Sequence, residues 1–319
     1  MWNFFFLLIF GFVFLYIGAE WLVKGASQLA MLLGLSPLLI GLTIVAFGTS
    51  TPELVVSLLS ALKGKSMIAI GNVVGSNICN IALVLGIASL FHPIKCRKEL
   101  LKRDIPIMVF VSVYLIVISL DSEIGRFDGF ILFLSLITYT IFNYLEDKTN
   151  RSITSTEDVY LKNEHKKTKG FVQTFFIIIG ILFVVVGAKM VVKGAENIMR
   201  IFGISEKVIG LTIVAFGTSL PELATSVVAS YRKYADISIG NLIGSNAFNI
   251  MCVLGLTALI KPIPITGGIF KSKLFVDYLI MLIISLIPWF MIRRNLLISR
   301  KDGLILLTLY TGYILYLYI

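Results

Sequence analysis

Cysteine is nearly absent from this chain: Cys79, Cys96 and Cys252 are three among 319 residues. They show neither a set of pairs nor a metal-ligand spacing, which excludes a disulfide framework and a thiolate metal centre. Those within apolar segments read as small packing residues. Histidine is as scarce, with His92 and His165 both in loops and neither at ligand spacing from a partner. There is no HExxH, no pair of catalytic aspartates in adjacent apolar segments and no Ser-His pairing. An intramembrane hydrolase therefore lacks its chemistry, and no enzyme is expected. Charged residues make up only 14% of the chain. Long polar segments are missing too. The longest, Glu146 to Lys169, has almost no apolar periodicity and reads as a linker, not a soluble domain. The formal net charge of +10 does not point to nucleic acid, because Lys and Arg sit mostly in short loops between apolar runs.

What the chain does have is apolar length. With 57% hydrophobic residues, it divides into ten spans, roughly 3–23, 36–62, 67–91, 104–121, 127–145, 170–192, 205–230, 236–260, 273–291 and 302–319. Runs of about 20 apolar residues are what a bilayer demands of a crossing helix. The first run has no basic residue before it, unlike the start of a signal peptide. Its Gly18-Ala19 and Lys24-Gly25-Ala26 also recur as Gly187-Ala188 and Lys193-Gly194-Ala195, so it belongs with the other spans as half of a repeat.

That repeat holds without a gap at an offset of 169, from Gly18/Gly187 to Ile94/Ile263. Ile40 to Ser50 returns letter for letter as Ile209 to Ser219, and each copy is followed one residue later by Pro-Glu, at Pro52-Glu53 and Pro221-Glu222. Five spans separate equivalent points, and an odd number inverts the second half relative to the first. The expected fold is an all-α polytopic membrane protein: ten transmembrane helices as two inverted five-helix repeats, with helices 2 and 7 broken. The halves are 1–145 and 170–319, joined by the 146–169 linker. Placing both termini outside puts 18 of the 28 Lys and Arg on the cytoplasmic side, linker included, as the positive-inside rule requires.

The two breaks carry the chemistry. Proline removes one helical N–H and displaces the carbonyl four residues earlier, here Gly48 and Gly217. Carbonyls around Ala46 to Thr49 and Ala215 to Thr218 should then seek other partners, and a bound cation is one. Thr49, Ser50, Thr218 and Ser219 add neutral oxygens, and Glu53 and Glu222 add charged ones. An all-oxygen site with two carboxylates suits a hard cation such as calcium, whereas softer metals would want Cys or His. Asn72, Ser76 and Asn80 lie four apart on one helical face, and Asn241, Ser245 and Asn249 repeat the stripe. Gly71, Gly75, Gly240 and Gly244 would let another helix approach. Small and polar residues in membrane helices often serve only packing. Two glutamates at equivalent breaks are harder to dismiss, since unrewarded they would cost about 5–7 kcal/mol together.

Gly-Thr-Ser-x-Pro-Glu followed by Gly-Asn-x-x-Gly-Ser-Asn-x-x-Asn, present twice, resembles the sodium/calcium exchanger family of the cation/calcium antiporters. The resemblance implies that helices 1 and 6 slide against the other eight, with alternating access around four mid-membrane cation positions. Carried over by motif position, Glu53 and Glu222 would bridge calcium and sodium, joined at calcium by the carbonyls of Thr49 and Thr218. Ser50, Ser245 and the Ala46 carbonyl would form one sodium position, and Ser219, Ser76 and the Ala215 carbonyl its mirror image. Asn80 and Asn249 would line the middle. Asparagine at 249, where potassium-dependent relatives carry an acidic residue, implies potassium independence. The large cytoplasmic regulatory domain of animal exchangers is lacking, which implies a prokaryotic type without calcium-sensing regulation.

The expected function is Na⁺/Ca²⁺ antiport in a cell membrane, with Na⁺, Ca²⁺ and lipid as partners, no cofactor and no obligate protein partner evident. A proton-coupled divalent exchanger is the alternative, and a cation channel using the same oxygens is a further one.

Overall fold

The computed structural model describes residues 2–153, 170–201 and 215–318. The first repeat opens with α1 (Trp2–Leu33), which Gly34 ends at φ +63, a left-handed position that favours glycine. Ser36 caps the next helix by accepting the Leu39 N–H at 3.1 Å, with Pro37 in the first turn. This second crossing runs as α2 (Pro37–Ile40), a π-helical turn at Gly41–Val45, α3 (Ala46–Thr49) and, after the break, α4 (Thr51–Leu62). Its two parts meet at 45°. The third crossing is α5 (Ser66–Ile78), a π-helical stretch at Cys79–Leu85 and α6 (Gly86–Phe91). Then come α7 (Ile105–Ile118), entered through a π-helical turn at Leu100–Asp104, and α8 (Arg126–Ile153).

The second repeat follows the same plan. It comprises α9 (Gly170–Ile201), α10 (Ala215–Gly217), α11 (Leu220–Tyr231), and α12 (Ala235–Phe248) continued by a π-helical stretch at Asn249–Leu254 into α13 (Gly255–Ile260). The short α14 (Gly268–Lys271), α15 (Leu274–Asn295) and α16 (Arg300–Tyr318) complete it. Among the described residues, six helices are each long and apolar enough to cross a membrane, and Pro37–Leu62 adds a broken seventh. Residues 100–118, 215–231 and 300–318 supply the other three of the ten expected spans.

Backbone angles repeat with the sequence. Ser50 has φ −85, ψ 6 and Ser219 φ −87, ψ 3; Lys65 has φ −95, ψ 56 and Tyr234 φ −87, ψ 60. The short strands β1 (Ile94–Lys95), β2 (Glu123–Ile124), β3 (Ile263–Pro264) and β4 (Leu297–Ile298) express the inversion directly. Antiparallel pairing joins β1 to β4 and β2 to β3, so each pair ties one repeat to the other.

Three boundaries differ from the hydropathy reading. α1 runs to Leu33 instead of 23, α9 to Ile201 instead of 192, and α8 to Ile153, which makes the first eight residues of the expected linker helical. A hydropathy window stops at charge, whereas a helix needs only satisfied backbone; Lys24, Lys193 and Lys148 lie within these helices. The rest of the linker, 154–169, and the repeated motif's residues 209–214 lie outside the described residues.

Burial sorts the crossings. The helices at Ser66–Phe91 and Ala235–Ile260 have 78% and 83% of their apolar windows inside the molecule, against 33% for α1 and α9. The first two are therefore the centre and the second two the flank. α12 meets the second crossing backbone to backbone: a Cβ on Gly244 would lie 2.6 Å from the Leu42 carbonyl oxygen, and one on Gly240 2.9 Å from that of Leu38. For Gly71 and Gly75, no described atom comes within 4 Å of such a Cβ. α1 and α9 pack on each other through glycines seven apart, Gly11, Gly18 and Gly25 on one and Gly180, Gly187 and Gly194 on the other. All three cysteines are free and buried.

Candidate cation site

Both glutamates sit in the first turn of a helix, Glu53 in α4 and Glu222 in α11, with Pro52 and Pro221 just ahead of them. The break therefore places each proline where its missing N–H costs nothing and each carboxylate at the positive end of a helix dipole. Glu53 and Glu222 have no exposed surface, and neither do Ser50, Ser219, Ser245, Asn80 and Asn249. Thr49 and Ser76 are 1% exposed.

Hydrogen bonds cross between the repeats. The Ser50 hydroxyl, on the first break, donates to Glu222 Oε1 at 2.9 Å, and Ser245 donates to the same oxygen at 3.4 Å. Ser76 donates to Glu53 Oε1 at 3.4 Å and lies 3.4 Å from the Thr218 hydroxyl of the second break. The two carboxylates are close enough to interact electrostatically. Among the described residues no Lys or Arg forms an ion pair with either of them.

Among the described residues, five buried oxygens of this set have no hydrogen-bond partner: Glu53 Oε2, Glu222 Oε2, Asn80 Oδ1, Asn249 Oδ1 and Ser219 Oγ. Buried polar atoms are nearly always bonded, so five unpartnered oxygens, two of them on carboxylates without a cationic partner, are acceptors open to a positively charged ligand. The set is hard, anionic and purely oxygen, matching sodium and calcium in ligand chemistry.

Several expectations need adjustment. The Ala46 carbonyl is not freed by the break; it accepts the Ser50 N–H at 3.0 Å and the Thr49 hydroxyl at 3.4 Å, because Ser50 still closes the last turn of α3. A second lone pair remains on it. Ala215 opens α10, and the Ser219 N–H donates to the Phe216 carbonyl at 3.1 Å. The threonine hydroxyls bind protein: Thr49 donates to Asn241 Oδ1 at 3.0 Å and Thr218 to Asn72 Oδ1 at 3.4 Å. Asn72 and Asn241 thus brace the breaks and do not offer oxygen to the carboxylates. Their amide nitrogens donate to Ser57 at 2.9 Å and Ser226 at 3.0 Å. Ser57 and Ser226 escaped the sequence reading, although both follow their glutamate by four residues. Asn77 and Asn246 escaped it as well; they bond the amides of Asn249 and Asn80 at 3.0 Å each. Standing next to the serine of each stripe, off its four-residue period, they were invisible to a rule based on one helical face.

The family profile for sodium/calcium exchanger proteins matches residues 3–145 and 172–319. The chain belongs to the sodium/calcium exchanger family. It is 35% identical to the sodium/calcium exchanger MaX1 of Methanosarcina acetivorans, an alignment covering 98% of each chain. It is 37% identical to the inner membrane protein YrbG of Escherichia coli, over 88% of this chain and 86% of that one. Its structure superposes on that of the sodium-calcium exchanger NCX_Mj soaked with zero Na⁺ and Ca²⁺, with a TM-score of 0.83, 32% identity and 99% of both chains covered. The exchanger family consists of transporters, not enzymes; its ions are Na⁺ and Ca²⁺, and its chemistry needs no cofactor. This exchanger is accordingly a Na⁺/Ca²⁺ exchanger-type antiporter of a prokaryotic membrane.

Proposed function

We propose that the chain exchanges Na⁺ for Ca²⁺ by alternating access, with Glu53 and Glu222 as the carboxylates shared by both loads. Thr49 and Thr218 contribute carbonyls to calcium. Ser50, Ser245 and Ala46 hold one sodium, Ser219, Ser76 and Ala215 another, and Asn80 and Asn249 complete the middle. The observation that carries this reading is the set of five unpartnered oxygens, two of them on a buried pair of glutamates without a cationic partner and three on Asn80, Asn249 and Ser219. Two ionised carboxylates are neutralised by one Ca²⁺ or by two Na⁺. Loads that compete for the same ligands exclude each other, and mutual exclusion makes the cycle an antiport. A third Na⁺ leaves the loaded site at +1, so the cycle responds to voltage by about 2.3 kcal/mol per charge per 100 mV. Asn249, a neutral group, supports potassium independence.

Alternating access is supported by an asymmetry between the repeats. The α1–α9 pair covers α11, where Val228 is 7% exposed, but leaves α4 open, where the equivalent Leu59 is 48% exposed. Exchanging those environments by the repeat symmetry produces the opposite state. With both termini outside and the 146–169 linker joining halves 1–145 and 170–319 in the cytoplasm, the uncovered half-helix points outward. This is then the outward-facing state.

In proteoliposomes an outwardly directed sodium gradient should drive calcium uptake, carry current and be indifferent to potassium. Uptake driven by a pH gradient and not by sodium would replace this reading with proton coupling.

A further inference from the structure

Two of the five unpartnered oxygens belong to amides, and an amide can turn either end to a ligand. The terminal torsion of asparagine is broad and roughly two-fold, so nothing local makes Asn80 or Asn249 present oxygen in preference to NH₂. Yet Oδ1 of both is the atom without a partner. We infer that Asn77 and Asn246 are positioning residues that set this polarity, and thereby the affinity of the site for a cation.

Two groups beside these amides can act in only one way. The Asn77 amide nitrogen lies 3.2 Å from the backbone carbonyl of Asn246, and the Asn246 amide nitrogen 3.0 Å from that of Asn77. A carbonyl oxygen only accepts, so each of these side chains must turn its nitrogen toward the other repeat's backbone. A further contact from Asn77 Nδ2, to Met281 Sδ at 3.8 Å, agrees with that orientation. Their side-chain oxygens are then committed elsewhere. Asn77 Oδ1 accepts from Asn249 Nδ2 and Asn246 Oδ1 from Asn80 Nδ2, each at 3.0 Å. With their nitrogens held, Asn249 and Asn80 can show the site only oxygen. Polarity passes from backbone to bracing amide to lining amide in two steps, once in each direction across the repeat interface. None of the four asparagines is more than 1% exposed, so bulk solvent does not compete for these bonds.

This inference rests on the cation reading of the site, and it predicts a coupling that a merely structural role would not give. Asn77→Leu keeps the volume but removes the acceptor, which frees Asn249 to turn NH₂ inward and leaves that group unsatisfied. Loss of such a bond should raise the half-saturating calcium concentration by roughly 5- to 100-fold. In an Asn249→Asp background there is no nitrogen to orient, so the same Asn77→Leu change should shift half-saturation by less than about 2-fold, a non-additivity that the double-mutant cycle isolates. Asn246→Leu with Asn80→Asp forms the mirror cycle.

The measurement is equilibrium binding of radioactive calcium to the purified full chain. Half-saturation reports on the site, whereas a fold defect lowers the number of sites; alanine at 77 and 246 gives the same cycles if leucine prevents assembly. Equal shifts in both backgrounds, or no shift in the otherwise unmodified chain, would overturn the inference alone. An unmodified chain that binds no calcium would overturn both the inference and the cation reading. Calcium binding with the predicted coupling but without sodium-driven exchange would support the inference and refute the exchange proposal.

Discussion

At the scale of single residues, the site is marked by oxygens that no other described residue satisfies. Glu53 and Glu222 each use one carboxylate oxygen in hydrogen bonds from serine and keep the other free. Replacing either by Gln leaves shape intact but removes one of two charges and puts an NH₂ group among acceptors. Calcium uptake by Glu53→Gln and by Glu222→Gln should fall to background in a vesicle flux assay. Ser50→Ala should be milder: it removes a bond to a charged group, worth about 1.5–3 kcal/mol, and should weaken sodium competition against calcium by roughly 10- to 150-fold. Much of this was legible beforehand. The repeat at an offset of 169 singled out both carboxylates, both serines and both lining asparagines. The roles of Asn72, Asn241, Asn77 and Asn246 were not legible, because hydrogen-bond direction between helices of different repeats depends on side-chain placement that no one-helix pattern encodes. The fate of the Ala46 carbonyl was missed for a related reason: proline displaces backbone bonds, but where the chain re-forms them depends on the turn that follows.

At the scale of elements, the breaks and the glycine-lined seam set how the helices pack. The seam between α1 and α9 brings backbones together at intervals of seven residues: a Cβ on Gly180 would lie 2.6 Å from the Leu22 nitrogen, and one on Gly18 2.8 Å from the Gly180 carbonyl oxygen. Close approach of this kind is how helices associate in lipid. Gly180→Leu should destabilise the fold by at least about 1–3 kcal/mol, read as a lower midpoint in a thermal-unfolding series in detergent. Equivalent turns use different residues: Gly64 adopts φ +73, whereas its counterpart Lys233 adopts φ +64 with a side chain to accommodate. Lys233→Gly should raise the unfolding midpoint, by about 0.5–1 kcal/mol in stability, since the left-handed strain removed outweighs the entropy added to the unfolded chain. Hydropathy found the crossings but cut α1, α8 and α9 short at Lys24, Glu146 and Lys193, because charge limits burial in lipid without limiting helix.

At the scale of the whole molecule, two inverted halves form one asymmetric structure. Arg232, at the end of α11, pairs with Glu20 of α1 at 2.6 Å, which favours the state in which α1 covers α11. Repeat symmetry maps this pair onto Lys63 and Lys189, two cations. The opposite state should therefore meet repulsion where this one has attraction. Lys189→Glu should shift the population toward the state that covers α4, measured as increased protection of Leu59→Cys from a water-soluble thiol reagent. High salt should blunt the shift, since exposed charges are screened. The inversion itself was legible from the odd number of spans between repeats. The asymmetry was not: identical motifs carry no information about which half the flanking helices cover.

The central claim is that one buried pair of glutamates holds either calcium or sodium, never both. Radioactive calcium bound to the purified protein at equilibrium, titrated with sodium, tests it most directly. The account predicts saturable calcium binding at one ion per chain, complete displacement by sodium, and loss of binding in both Glu53→Gln and Glu222→Gln. Calcium that stays bound at saturating sodium, or that binds equally well without either carboxylate, would contradict it.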